Sequence, residues 1–156
     1  MSKSLKRVQT ALAEGGINAE ILEMADGTRT AEAAAKAAGC ALDQIMKSIV
    51  FRGEADGHVV LFLTAGGNRV DPAKAARVAG AALGKADARL IRAETGFAIG
   101  GVAPVGHLRE IRAYLDPRLL AFDLVWAAAG TPRHIFCADP RAIQALCGAV
   151  VADFTA

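Results

Sequence analysis

Apolar residues recur at helical spacing at the start of the chain. Leu5, Val8, Ala11 and Leu12 predict a helix over residues 4–14, with Ser2 or Ser4 as its cap and Gly15-Gly16 as its stop. Residues 19–24 then read as a short strand closed by Asp26-Gly27. Thr30 opens a second helix that Gly39 ends. Residues 42–45 predict a turn or half-helix. Residues 46–52 form an apolar, β-branched run, and Asp56-Gly57 turns the chain into a second such run over 58–64, which predicts a hairpin of two buried strands. Asp71-Pro72 opens a helix, with Asp71 as cap and Pro72 at its first position, that runs to about Ala79 and stops at Gly80. Residues 86–91 read as a weak extended strand and 91–95 as a helical turn. Strands follow over 108–115, 121–127 and 133–137, broken by Asp116-Pro117 and Gly130-Thr131-Pro132. Asp139-Pro140 starts a final helix that Gly148 ends, and residues 150–154 form a last strand. Hairpin neighbours imply a mixed, largely antiparallel sheet. The order is not a strict βαβ alternation, so the pattern argues against a doubly wound fold and for a single α+β domain over residues 1–156.

Composition narrows this reading. At 156 residues and 53% hydrophobic, the chain is long enough and apolar enough to bury a core, and alanine supplies much of that apolar count. No run approaches the roughly 20 apolar residues that span a bilayer. The basic start, Lys3 to Arg7, leads into an amphipathic segment rather than a continuous apolar one, so no signal peptide is expected and the cytoplasm is. Cys40, Cys137 and Cys147 lack metal-ligand spacing and are expected as reduced, packed thiols. The net charge of +2 is too small to imply an extended nucleic-acid surface, although a local patch still suffices for a phosphate or two. Arg69, Lys74, Arg77, Lys85, Arg89 and Arg92 make the middle third basic, most simply as solvated helical faces.

Three places carry candidate chemistry. The stretch from Glu94 to His107 contains four glycines, a proline and almost no charge. So apolar a loop is expected to pack against the body of the protein, and its glycines allow a ligand close to the backbone. It is not a Walker loop, and Pro104 sits where a dinucleotide-binding helix would open. Lys47 lies at the start of an apolar strand; it is either a snorkelling rim lysine or a cation facing a cleft. His107 and His134 have the right chemistry for a general base, or are a surface and a core histidine respectively, and His58 is expected only to be exposed. Arg69 and Asp71 are expected to serve as counter-ion and cap. Zinc spacings and a nucleophile elbow are both missing, so metal and covalent mechanisms start low and no cofactor is expected.

Taken in series, Met46-Lys47-Ser48-Ile49-Val50-Phe51, the loop Thr95 to His107 and Ala129-Gly130-Thr131-Pro132-Arg133-His134-Ile135 resemble the YbaK/EbsC family, free-standing relatives of the editing domain inserted in bacterial prolyl-tRNA synthetase. The resemblance spans nearly the whole chain. It implies a mixed domain on a strongly curved sheet, and trans-editing hydrolysis of the ester joining a wrong amino acid to the 3′ acceptor end of a tRNA. It implies Lys47 as the catalytic residue, and a substrate pocket lined by Gly100, Gly101, Val102, Ala103, Pro104, Gly130 and His134. The Gly100 and Gly101 amides would stabilise the oxyanion. Some relatives carry aspartate where this chain has His134, so a carboxylate role there does not carry over. The partners implied are tRNA and an aminoacyl-tRNA synthetase, with no membrane. The alternative is a non-enzymatic module that binds a nucleotide or an RNA end.

Overall fold

The computed structural model describes residues 2–25 and 30–156; the expected turn at Asp26-Gly27 lies outside them. Among the described residues the chain forms five α-helices and eight strands. In chain order these are α1 (Lys3–Glu14), β1 (Glu20–Glu23), α2 (Ala31–Ala38), β2 (Ile45–Gly53), β3 (Val59–Ala65), α3 (Pro72–Ala79), β4 (Leu83–Lys85), α4 (Ala88–Thr95), β5 (Arg112–Leu115), β6 (Val125–Ala128), β7 (His134–Ala138), α5 (Pro140–Cys147) and β8 (Val150–Val151). Short 3-10 helices cover Leu42–Gln44 and Pro117–Ala121.

Local chemistry sets the helix ends. Ser2, Thr30, Asp71, Asp87 and Asp139 each accept a hydrogen bond from a first-turn backbone N–H. Four of the five helices end on a glycine in the left-handed region. Residues 86–91, expected as extended, instead enter α4. Asp87 caps this helix by accepting from Leu90 N (2.8 Å), while Ile91 and Thr95 bury the same face one turn apart. The strand expected over 108–115 is confined to β5, because Leu108 is exposed and Arg109 reaches Glu94. Likewise, 121–127 forms a strand only from Val125, after the 3-10 helix, and 150–154 only at β8.

The strands form one mixed sheet in the order β1-β7-β6-β2-β3-β5-β8, with β4 pairing β2. Pairs β1–β7, β2–β3, β2–β4 and β6–β7 are antiparallel; β2–β6, β3–β5 and β5–β8 are parallel. Strand alternation divides the core between the two faces. On one face Leu5, Val8 and Leu12 of α1 join Met46, Leu61, Leu63, Phe136, Ile143 and the loop residues Phe97, Val102 and Ala103. On the other face there are two separate clusters. Val60 and Phe62 pack with α3 and Phe154, with Phe62 at the centre of contacts to Phe51, Tyr114 and Phe154. Ile45 and Trp126 pack with Ala34 and Ala35 of α2. Lys47 stands between these clusters, two residues after Ile45 and two before Ile49.

Gly130 shows how tightly the loops are fitted. Its φ is +97°, and a Cβ there would lie 2.7 Å from the Ser4 carbonyl oxygen and 3.0 Å from its carbonyl carbon. Backbone atoms cannot swing aside. Gly130→Ala is expected to cost roughly 2–4 kcal/mol and to lower Tm by roughly 5–15 °C. A melting curve within about 1 °C of the parent would show that this contact is slack.

Candidate active site

The cavity that holds Lys47 arises from an interruption in the sheet. Strand β2 pairs with β6 only at Ile45↔Trp126 and Met46↔Ala127, and with β4 only at Phe51 to Gly53. Because β3 occupies the other edge throughout, residues 47–50 have no strand beside them on this edge among the described residues. A cavity of about 230 Å³ lies along the gap. Helix α2 closes it from one side with Thr30, Ala31 and Ala34; Gly100 and Val102 close it from the other. Trp126, Ala128 and Ile135 complete a lining that is mainly apolar, with Thr30, Lys47 and Ser48 as its polar side chains.

The ladder itself shows what β2 offers here. The Leu63 carbonyl accepts from Asp116 N (2.9 Å), so Leu63 directs its backbone groups toward β5. Its partner across the β2–β3 pair is Ser48, which therefore belongs to a non-hydrogen-bonded pair. Ser48 directs its own N–H and C=O away from β3, toward the open edge. Its Oγ is buried, with no hydrogen-bond partner among the described residues.

Lys47 is half-buried and donates from Nζ to the Asn68 carbonyl oxygen at 2.6 Å. Burial lowers its pKa; Arg69 adds to this, while Glu32, Asp116 and Asp43 oppose it. An ammonium carries three donors, and the described residues take one of them, which leaves two for a ligand.

Of the residues expected to bind substrate, Gly100 and Val102 line this cavity with Lys47, and the others stand behind or beside it. Gly101 is packed on the 130–132 turn: a Cβ there would meet Thr131 C and Cα at 2.8 Å. Its N–H donates to the Ala98 carbonyl (3.0 Å), so the expectation that it serves an oxyanion does not hold in this conformation. Ala103 is fully buried, and its carbonyl accepts from His107 Nε2 at 2.7 Å. Pro104 borders a different cleft, with His107 and Leu146. Gly130 is pressed on α1. His134 is adjacent to Ile135 on β7, so alternation turns it to the other face of the sheet from Ile135, and it does not line the cavity. There its Nδ1 shares a hydrogen bond with Thr131 Oγ1 (2.6 Å), and its Nε2 lies 3.7 Å from Glu23.

The remaining histidines and thiols have other partners. His58 is exposed, as expected, but is not free. It pairs with Glu94 (2.7 Å), which also accepts from Val59 N and contacts Arg109, tying the hairpin to α4 at the far end of β3 from the cavity. The three cysteines are unpaired and half-buried, with burial raising each thiol pKa. Asp71 caps α3, and the basic residues expected on a solvated face are spread over the segment before α3 (Arg69), α3, β4 and α4. Among the described residues no group of three His, Cys, Asp or Glu side chains is placed to hold a metal, and no helix is long and apolar enough to cross a membrane.

His107 gives a pH prediction. Burial depresses its pKa below the ordinary imidazole value, helped by Arg7 and opposed by the Ala103 carbonyl. The unfolded chain therefore takes up a proton first as pH falls, and this contribution to stability is present above about pH 6.5 and is lost below it. Urea midpoints should fall between about pH 6.5 and 5 in the parent, and fall less in His107→Gln. Equal slopes in the two proteins would contradict this assignment.

Comparisons with known proteins identify the family and the fold. Residues 25–146 match the family model described as the aminoacyl-tRNA editing domain. The uncharacterised protein YwhH of Bacillus subtilis (strain 168) is 34% identical over 141 residues, covering 90% of this chain and 89% of its own. A solved structure described as a candidate trans-editing enzyme for prolyl tRNA synthetase is 48% identical, with a TM-score of 0.92 over 100% of this chain and 99% of that one. The hypothetical protein APE2540 is 28% identical, with a TM-score of 0.87 over 96% and 99% of the two chains. The chain belongs to the aminoacyl-tRNA editing domain family.

Proposed function

We propose that the protein is a trans-editing deacylase that hydrolyses the ester of mischarged aminoacyl-tRNA. The observation that carries this reading is the meeting of Lys47, the open edge at Ser48 and the Gly100–Val102 loop at one small apolar cavity, in a chain of the editing-domain family. The aminoacyl side chain occupies the cavity between α2 and β6. The terminal adenosine and its phosphate remain at the mouth. A cavity of about 230 Å³ bounded by Trp126 and Ile135 selects by exclusion, and each methylene contributes about 1–3 kcal/mol of discrimination.

The chemistry needs little from the protein. Water adds to the ester carbonyl carbon, the bond to the ribose oxygen breaks, and that oxygen leaves with a proton. The ester is already activated, so positioning supplies much of the rate without a covalent intermediate. Lys47 places its two remaining ammonium protons toward the negative charge that develops on substrate oxygens. The Ser48 N–H is the backbone donor directed toward that edge, in place of the Gly101 amide. The neighbouring ribose hydroxyl supplies the proton relay. Partners on this reading are the tRNA acceptor end and an aminoacyl-tRNA synthetase.

A panel of tRNAs, each charged with a small amino acid, tests the reading. Release of one or a few amino acids by the parent protein, well above spontaneous hydrolysis, is the expected outcome. Tight binding of charged tRNA with no release from any panel member would instead make the protein a binding module.

A further inference from the structure

We infer that Asp116 and Asn68 are positioning residues for Lys47, linked as a chain of hydrogen bonds from the buried end of β5 to the cavity rim. Asp116 follows β5 and is 2% exposed. Its Oδ2 accepts from Asn68 Nδ2 (2.9 Å) and from Ala65 N (3.1 Å); its Oδ1 accepts from Arg118 N (2.9 Å). A buried carboxylate with three donors is fixed in place, because losing any one leaves a charged oxygen unsatisfied. It therefore holds the Asn68 side chain rigidly. The Asn68 backbone carbonyl in turn accepts from Lys47 Nζ at 2.6 Å.

The turn that carries Asn68 is pinned at its other points too. Asn68 N donates to the Ala65 carbonyl (2.9 Å), and Gly67 N donates to Asp43 Oδ1 (2.8 Å). Asp43 is itself held by Arg118 Nε at 2.9 Å. A Cβ on Gly66 would fall 2.2 Å from the Leu42 carbonyl oxygen, so the turn lies flush against the 3-10 helix before β2. A lysine side chain has four rotatable carbons and loses much entropy when it is fixed. A rigid carbonyl that takes one ammonium proton removes most of that freedom before substrate arrives, and directs the other two protons.

Lysine side-chain nitrogen NMR on 15N-lysine-labelled full-length protein tests the chain directly, with the Lys47 signal identified by its absence in Lys47→Arg. The expected result is a Lys47 ammonium that is ordered and slow to exchange, unlike solvated lysines, and that becomes mobile in Asn68→Ala. A Lys47 signal as mobile as the solvated lysines in the parent would overturn the inference outright. So would a signal that Asn68→Ala leaves unmoved in a folded protein; if that variant does not melt cooperatively, Asp116→Asn is the substitute. The kinetic readout rests on the deacylase reading. There Asn68→Ala is expected to lower kcat about tenfold with KM changed less than about threefold, and to add nothing in a Lys47→Ala background. An equal loss in both backgrounds would mark Asn68 as structural only. If the parent releases no amino acid, the deacylase reading falls while the NMR result still decides the positioning role.

Discussion

Lys47→Ala is expected to lower the rate of amino-acid release by about 10²–10³-fold while leaving the fold intact. The size follows from the role: one charged donor directed at developing negative charge in an apolar site contributes about 3–4 kcal/mol to the barrier. The stability effect is small by comparison. The lysine is half-buried, its partner is a backbone carbonyl at the rim, and water can replace the ammonium there once the side chain is gone. Tm is therefore expected to change by only a few degrees. Single-turnover release assays beside melting curves separate the two effects. A variant that keeps the parent rate would reduce Lys47 to a snorkelling lysine at the edge of a sheet.

Ala128→Phe is expected to lower kcat/KM by more than about a hundredfold, again without unfolding the protein. Ala128 and Ile135 face each other across β6 and β7, and both line the cavity. A phenyl ring at 128 occupies the space assigned to the aminoacyl side chain. The cavity leaves about 230 Å³ between the surrounding side chains, so the ring enters it without forcing packed protein atoms apart, and overpacking costs stay low. Urea denaturation and single-turnover release report the two quantities. Unimpaired turnover by this variant would place the aminoacyl group somewhere other than between α2 and β6.

Local chemistry made much of the fold legible in advance. Asp71-Pro72 and Asp139-Pro140 marked helix starts because an N-cap and a proline at the first position act within one turn. Residues 86–91 misled because Ala86, Leu90 and Ile91 suit either periodicity; the deciding signal was Asp87, a cap three residues before Leu90. Lys47 stood out as a charge on an apolar strand, and Gly100 and Val102 as parts of a loop too apolar for solvent. The gap that makes the cavity was not readable, because it depends on how far β6 and β4 extend along β2. The side that His134 faces depends on its register with β6 in the same way. Asn68 carried no signal of its own: it acts through a backbone carbonyl 21 residues from the lysine it holds. Asp116, read only as a turn residue beside Pro117, is buried where it gathers two donors from the 65–68 turn and one from its own 3-10 turn.

On the proposed function, one cavity, with Lys47 at its rim, hydrolyses a mischarged aminoacyl ester. The most direct test is the time course of amino-acid release from a panel of charged tRNAs with the parent protein and with Lys47→Ala side by side. Rapid release of a small amino acid by the parent and near-spontaneous release with the variant are expected. Equal rates with both proteins, on every charged tRNA in the panel, would contradict the proposed function.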